Sequence, residues 1–500
     1  MTIGGMDRLP LLDDAAAYLA LSARDARFDG RLFVGVMSTG IYCRPICRVR
    51  TPLRKNCRFF QTPAQAEAAT FRPCMKCRPE IAPGAGLAWT VMDASRTLAC
   101  QAGAVLDAQA ASGDAPRLAD LAARLGISDR HLRRIFQVEH GVTPVQYLQT
   151  RRLLHAKQLL TDTRLPVASV ALVSGFGSVR RFNAAFAGQY RMSPSRLRVA
   201  AGDAVFDADA ALTVTLAYRA PCDVEALLDF FAQRAIPGIE SVAGRTVRRS
   251  LRAATVAAPA GWIEAEFVAG AALVRLRFGT ELASASAALI AAARRWLDLD
   301  ANPQAIDAVL ADLPGAPGLR LPGSLDAFEL AVRAVLGQQV TVAGARTLAW
   351  RVVERFGAPL VTPWADVNRS FPAPMALACA PSGALADLGI IRSRVCAIQA
   401  LAQQWPEIAA LLTPSDGAAA LIERLCALPG IGLWTAHYIA MRALGWPDAF
   451  PPNDVAVLKA MRQRFGPLTP RAALAHASAW QPWRSYAVLR LWNSLQKGLA

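Results

Sequence analysis

The chain has 500 residues, 53% of them hydrophobic, and carries 55 Lys and Arg against 38 Asp and Glu, a formal net charge of +17. Such a length predicts three or four domains, each burying a core of its own, and such a basic excess points to nucleic acid or an anionic membrane surface. No run of about 18 residues is apolar enough to span a bilayer, and Asp7, Asp13 and Asp14 interrupt any N-terminal apolar stretch. The expectation is a cytoplasmic protein in a reducing compartment, and no basic amphipathic segment suggests a membrane partner. Residues 1–200 hold 28 Lys and Arg against 14 Asp and Glu, so +14 of the charge lies there.

Four cysteines organise the first eighty residues. Three residues separate Cys43 from Cys47, and two separate Cys74 from Cys77. Two short knuckles of this kind each deliver two thiolates to one tetrahedral zinc, at about 2.3 Å. Cys57, Cys100, Cys222, Cys379, Cys396 and Cys426 lack paired spacing and read as ordinary thiols. The strings TGIYCRPIC and FRPCMKC resemble the N-terminal domain of the Ada adaptive-response proteins, a match assigned to residues 1–84. That resemblance implies one zinc, with Cys43 both ligand and acceptor of a methyl group from a DNA phosphotriester. It also implies that Arg44, Arg50 and Arg72 hold neighbouring phosphates. Methylation replaces a thiolate with a neutral thioether, which is expected to raise DNA affinity.

Residues 90–200 read as helices. In RLADLAARLGISDRHLRRIFQVEHGVTPVQYL the apolar positions Leu118, Leu121, Ala122 and Leu125 recur at helical spacing, Gly126 breaks the run, and Ser128 caps a new helix to about Phe136. That second helix exposes Arg130, His131, Arg133 and Arg134. About 47 residues later LPVASVALVSGFGSVRRFNAAF repeats the pattern, with a turn at Gly175 and Arg180 and Arg181 on the helix that follows. One such unit alone reads as a plain helical hairpin. The tandem pair resembles the AraC-type DNA-binding domain, which implies promoter DNA as target and RNA polymerase as a partner.

The small acidic stretch AGDAVFDADA reads as a linker. After it, LTVTLAY and the segment 272–278 alternate with the period of strands, while 223–235 and 285–299 have helical patterns. Residues 210–300 therefore form a small α+β domain that shows no chemistry of its own.

Residues 301–497 are helical in pattern and contain LPGIGLWTAHYIAMRALG at 428–445. Gly430 and Gly432 permit a tight hairpin whose bare backbone lets amide groups approach an anion. By residue type alone, Asp454 reads as a helix start after two prolines, and Trp434 and Tyr438, four apart, read as core. With LDAFELAVRAVLGQQVTVAGA before the hairpin and FPPNDVAVLKAMRQRF and WQPWRSYAVLRLW after it, the segment from about residue 210 resembles the AlkA-type 3-methyladenine DNA glycosylases. The resemblance implies a catalytic aspartate at Asp454 and a base pocket walled by Trp434, Tyr438 and Trp492. It also implies Gly430 and Gly432 against the DNA backbone. No lysine precedes the aspartate to form a Schiff base, so a monofunctional glycosylase without cofactor is expected. Where the family places a leucine wedge, this sequence has Gln339, a departure that leaves the wedge unassigned. Stacking by the tryptophans and charge at Asp454 are expected to be separable by mutation.

The expectation for the whole is a multidomain chain, mainly α with α+β parts: zinc domain, tandem helix-turn-helix, small α+β domain and helix-hairpin-helix domain. Its partners would be double-stranded DNA, both alkylated and promoter, and its work excision of bases such as 3-methyladenine together with transcriptional regulation. One alternative is a regulator with a structural zinc and a back half that only binds damage. The Pro-Cys-His-Arg site of an alkylguanine transferase has no counterpart, since Pro221-Cys222 is followed by Asp223.

Overall fold

A computed structural model of the protein describes residues 13–84, 94–112, 118–201, 211–252, 259–412 and 417–496. Most of the acidic stretch read as a linker lies outside these residues. The chain divides into two compact units, residues 1–219 with 283–288, and residues 220–282 with 289–500. The two front segments expected as separate domains thus share one unit.

In the first unit, a helix Asp14–Ser22 starts where the Asp13 carboxylate accepts from the Ala16 amide at 2.7 Å. It packs on a four-stranded sheet in the order Cys57–Phe60, Phe33–Val36, Ile41–Cys43, Arg72–Pro73. The first three strands are antiparallel, and Arg72–Pro73 runs parallel to Ile41–Cys43, pairing Ile41 with Arg72 and Tyr42 with Pro73. Ala17, Leu21, Leu32 and Val34 form one small core, and Phe33, Tyr42, Ala66 and Phe71 form another. A sheet this small needs further support to be stable.

Beyond the sheet, the helices of this unit are Ala94–Ser112, Leu118–Arg124, Asp129–His140, Pro144–Asp162, Val167–Val173, Val179–Tyr190 and Pro194–Ala201. Gly126 and Gly175, at φ +67° and +81°, make the turns of two helix-turn-helix elements, a conformation that side chains with a Cβ resist. Ser128 and Ser178 cap the second helix of each, accepting from the His131 and Arg181 amides at 3.2 Å. The first reading helix runs to His140, four residues beyond the expected end at Phe136. Between the two elements, Pro144–Asp162 opens on a capping box of Thr143 and Gln146.

In the second unit the strands Glu240–Ala243, Thr246–Leu251, Gly261–Phe267 and Leu273–Gly279 form an antiparallel meander. Gly261–Phe267 is buried on both faces, so it lacks the alternation that marks a strand in sequence. Its Glu264 is tolerated there because Arg248 and Arg277 each approach it to 2.7 Å. The remainder is helical around one large core in which Phe328, Val332 and Leu336 meet Val352, Ile398, Leu421 and Ile439. Among the described residues no helix is long and apolar enough to cross a membrane.

Candidate functional sites

The Sγ atoms of Cys43, Cys47, Cys74 and Cys77 all lie within 4.8 Å of one another, and none is in a disulfide. Strand pairing brings the knuckles together: Cys43 ends one strand, and the Cys74 amide donates to the Tyr42 carbonyl at 3.0 Å just past the strand beside it. The Arg44 amide donates to Cys77 Sγ at 3.3 Å, which favours a charged sulfur. Four ligands on one metal at about 2.3 Å stand some 3.8 Å apart, so four thiols gathered this closely suit a tetrahedral zinc. Cys43 and Cys47, but not Cys74 or Cys77, line a small, mainly apolar hollow with Leu21, Val34, Val36, Val49, Thr51 and Pro52.

Of the arginines expected at phosphate, Arg50 is exposed and Arg72 half-buried. Arg44 departs from that expectation. It is 4% exposed, bonded through Nε to Asp29 Oδ1 at 2.7 Å and through Nη1 to the Cys77 carbonyl at 3.1 Å. Burying a guanidinium requires a partner, and Asp29 supplies it, so Arg44 is turned inward and braces the cysteine loops. Asp29, fifteen residues upstream, gave no sequence signal for this pairing.

On the reading helices Arg130, Arg133, Arg134, Arg180 and Arg181 are exposed, and His131 is half-buried. Arg133 lies 3.0 Å from Asp129, and Arg134 Nη2 lies 3.3 Å from His131 Nδ1. Both groups are solvent-facing, so these contacts are weak enough to yield to phosphate or a base edge.

In the second unit the hairpin joins helix Gly417–Cys426 to helix Leu433–Ala443. Gly430 stands at φ +75°, and a Cβ there would lie 3.1 Å from Ala397 Cβ. Gly432 caps the second helix with no side chain, leaving its first amides open. Gln338 Nε2 donates to the Gly430 carbonyl at 2.9 Å and to Thr435 Oγ1 at 3.0 Å. The next residue, Gln339, is exposed and held at φ +53°, a conformation costly for a residue with a Cβ.

Asp454 caps helix Val455–Phe465, its Oδ1 accepting from the Val457 amide at 2.8 Å, and is 6% exposed. The cap expected of an aspartate after two prolines is present, and the same carboxylate is also bound from the other side. Trp434 Nε1 donates to Oδ2 at 2.7 Å and Trp492 Nε1 to Oδ1 at 3.2 Å. Three N–H donors therefore fix both oxygens of one buried carboxylate. Trp434 and Tyr438 stack at 5.4 Å and 7°, and Trp492 stands 6.3 Å from Tyr438. All three rings are half-buried, so each keeps part of its surface accessible. Because both indoles hold Asp454, stacking and carboxylate placement are not separable by removing a tryptophan, contrary to expectation.

Sequence reasoning missed Arg442. Its Nη1 donates to the Tyr438 hydroxyl at 2.8 Å while its other nitrogens bind the Pro322 and Gly323 carbonyls. Burial pushes the Tyr438 phenol up, but the charges of Arg442, Arg234 and Arg333 outweigh it and lower it. Its place four residues after Tyr438 and eight after Trp434, on one helix face, was the available signal.

A cysteine knuckle with paired helix-turn-helix elements in one unit, and a helical hairpin beside a braced aspartate in the other, define a DNA-binding regulator joined to a base-excision repair fold. Family models agree: metal binding domain of Ada over residues 16–80, helix-turn-helix domain over 121–200, AlkA N-terminal domain over 213–326, and HhH-GPD superfamily base excision DNA repair protein over 332–485. The chain is 36% identical over 496 residues, 97% of each chain, to the "Probable bifunctional transcriptional activator/DNA repair enzyme AlkA" of Mycobacterium tuberculosis, and it belongs to that family. It is 37% identical over 281 residues to "DNA-3-methyladenine glycosylase 2" of Escherichia coli, covering 56% of this chain and 96% of that one. Its front part is 34% identical over 171 residues to "Regulatory protein ada" of Salmonella typhimurium, covering 34% of this chain and 45% of that one.

Proposed function

We propose that the protein excises alkylated bases such as 3-methyladenine from DNA by hydrolysis, and that its front unit senses DNA methylation and regulates transcription. The observation that carries the first part is the Asp454 carboxylate, buried beside an aromatic wall and held by two indole N–H groups and one amide. Cleavage of the C1′–N bond leaves an oxocarbenium-like sugar, which an ionised carboxylate stabilises. Asp454 also orients the attacking water and takes its proton while the base departs with the bond electrons. An alkylated purine is already cationic, so it leaves without a general acid. Trp434, Tyr438 and Trp492 would stack the flipped base, and the cation–π term contributes on the order of 1–2 kcal/mol when desolvated. Gly430, Gly432 and the free amides of the hairpin would bind the DNA backbone, and Gln339 would stand in the gap left by the flipped base.

Cys43, Cys47, Cys74 and Cys77 would hold a zinc, which would keep their sulfurs deprotonated at neutral pH. Cys43 Sγ then attacks the methyl carbon of a methyl phosphotriester, the C–O bond breaks, and an ordinary phosphodiester anion leaves. The apolar hollow beside Cys43 and Cys47 supports one of these two as acceptor. Arg50 and Arg72, with the exposed arginines of the reading helices, would hold phosphates around the site. The decisive test is release of free base from methylated DNA by the wild-type protein, followed by peptide mass spectrometry of the cysteine region. No released base refutes the glycosylase. A methyl group on Cys47, or on no cysteine, refutes the assignment to Cys43.

A further inference from the structure

Within the first unit, the cysteine site and the tandem helix-turn-helix are tied by a buried polar cluster that neither metal binding nor DNA reading requires. Tyr42, one residue before Cys43, is fully buried and donates to Glu67 Oε1 at 3.1 Å. Tyr190, at the end of the second reading helix, is buried as well, but its hydroxyl has no hydrogen-bond partner among the described residues, so the bonds from that helix are made by its neighbour. Beside it Gln189 donates to the Glu67 and Phe71 carbonyls at 3.3 and 3.4 Å. On the other knuckle, Arg78 directly follows Cys77 and sits in the left-handed region at φ +52°. Its Nη1 meets Asp162, the last residue of the long helix, at 2.7 Å, and its Nε meets Glu80 at 3.0 Å. Lys157 of the same long helix closes the cluster on Glu80 at 2.6 Å, with both side chains almost wholly buried.

Each cysteine knuckle is therefore followed or preceded, one residue away, by a side chain bonded into this cluster. A buried ion pair resists sliding because displacement strands a charge in low dielectric. A shift at either knuckle moves Tyr42 or Arg78, and their partners sit on the elements that carry the reading helices. We propose that Tyr42 and Arg78 are positioning residues that transmit the state of the cysteine site to both helix-turn-helix elements, so that the two halves of the unit respond as one body. The inference rests on the reading of Cys43 as methyl acceptor and adds a mechanical route to the change of charge at the site.

The test uses the full zinc-loaded chain and a duplex selected by the methylated protein from a random-sequence pool. Affinity is measured at fixed salt with Cys43 free and methylated, in wild type and in Asp162→Asn and Gln189→Leu. With a coupling of about tenfold in wild type, the gain should fall below about threefold in the variants while zinc content and methyl transfer stay unchanged. A full gain in both variants would show that charge acts through space alone and would overturn the proposal. If the variants do not fold, hydrogen exchange on the wild type decides: methylation should alter protection in Pro144–Asp162 and Val179–Tyr190, and changes confined to residues 13–84 overturn it. If the wild type takes no methyl group, the reading of Cys43 fails first. Zinc removal by a chelator then provides the perturbation, and unchanged protection in the same two helices sinks the coupling.

Discussion

Asp454 shows how one side chain serves two roles when its oxygens face different partners. Oδ1 closes the helix N-terminus, and Oδ2 meets Trp434 on the side of the aromatic wall. Asp454→Asn keeps the shape and removes the charge, so base release in single-turnover assays should fall by at least about 10²-fold while binding to damaged DNA survives. Excision at the wild-type rate would leave Asp454 a helix cap and nothing more. Trp434→Phe retains a stacking ring but loses the donor to Oδ2. A hydrogen bond to a charged group contributes about 1.5–3 kcal/mol, so the variant should lose roughly 10-fold to 100-fold in rate with little change in affinity. A histidine outside both sites gives a pH signature. His155 is half-buried beside Ser286, and desolvation, with the nearby Arg151 charge, pushes its imidazole down to about 4. The neutral form is therefore favoured on folding. Its stabilisation is complete above the ordinary value near 6.5 and is lost as pH falls through about 4, a loss on the order of 3 kcal/mol. Chemical denaturation of wild type and His155→Gln across that window should show the difference; parallel curves would refute it.

At the scale of elements, glycine placement and helix capping were legible because they are local. Gly126, Gly175 and Gly430 each stand at positive φ where the sequence put a turn, and Ser128 caps the helix it was expected to start. Gly430→Ala should lower stability by about 1–2 kcal/mol, since the left-handed backbone penalises a Cβ and Ala397 leaves it only 3.1 Å. A denaturation midpoint equal to wild type would refute that strain. The sheet elements were harder to read. Strand Gly261–Phe267 buries Glu264, and only the arginines of its neighbours, which no local pattern reveals, make that tolerable. The five exposed arginines of the reading helices bear a prediction together. If each meets a phosphate, duplex affinity should fall with salt at a log–log slope near −4 to −5, and each Arg→Ala change should reduce the slope by about one. A slope unaffected by Arg133→Ala would remove that residue from the interface.

For the molecule as a whole, composition and motif order already separated a basic front half from a nearly balanced back half. Local spacing determined the class of each part: cysteine knuckles, repeated helix-turn-helix patterns, and a glycine hairpin followed by an aspartate each depend on residues a few positions apart. Tertiary structure decided what those residues do to one another. Arg44 looked like a phosphate ligand because it neighbours Cys43, yet Asp29 draws it inside. Trp492 lies 38 residues from Asp454, and only folding brings its indole to the carboxylate. Tyr42 and Arg78 are ordinary in sequence, and their link to Gln189 and Asp162 exists only because two segments expected as separate domains bury one cluster between them. The physical reason is the same in each case: spacing along the chain fixes local conformation, whereas burial of polar groups forces them to find partners wherever the fold supplies them.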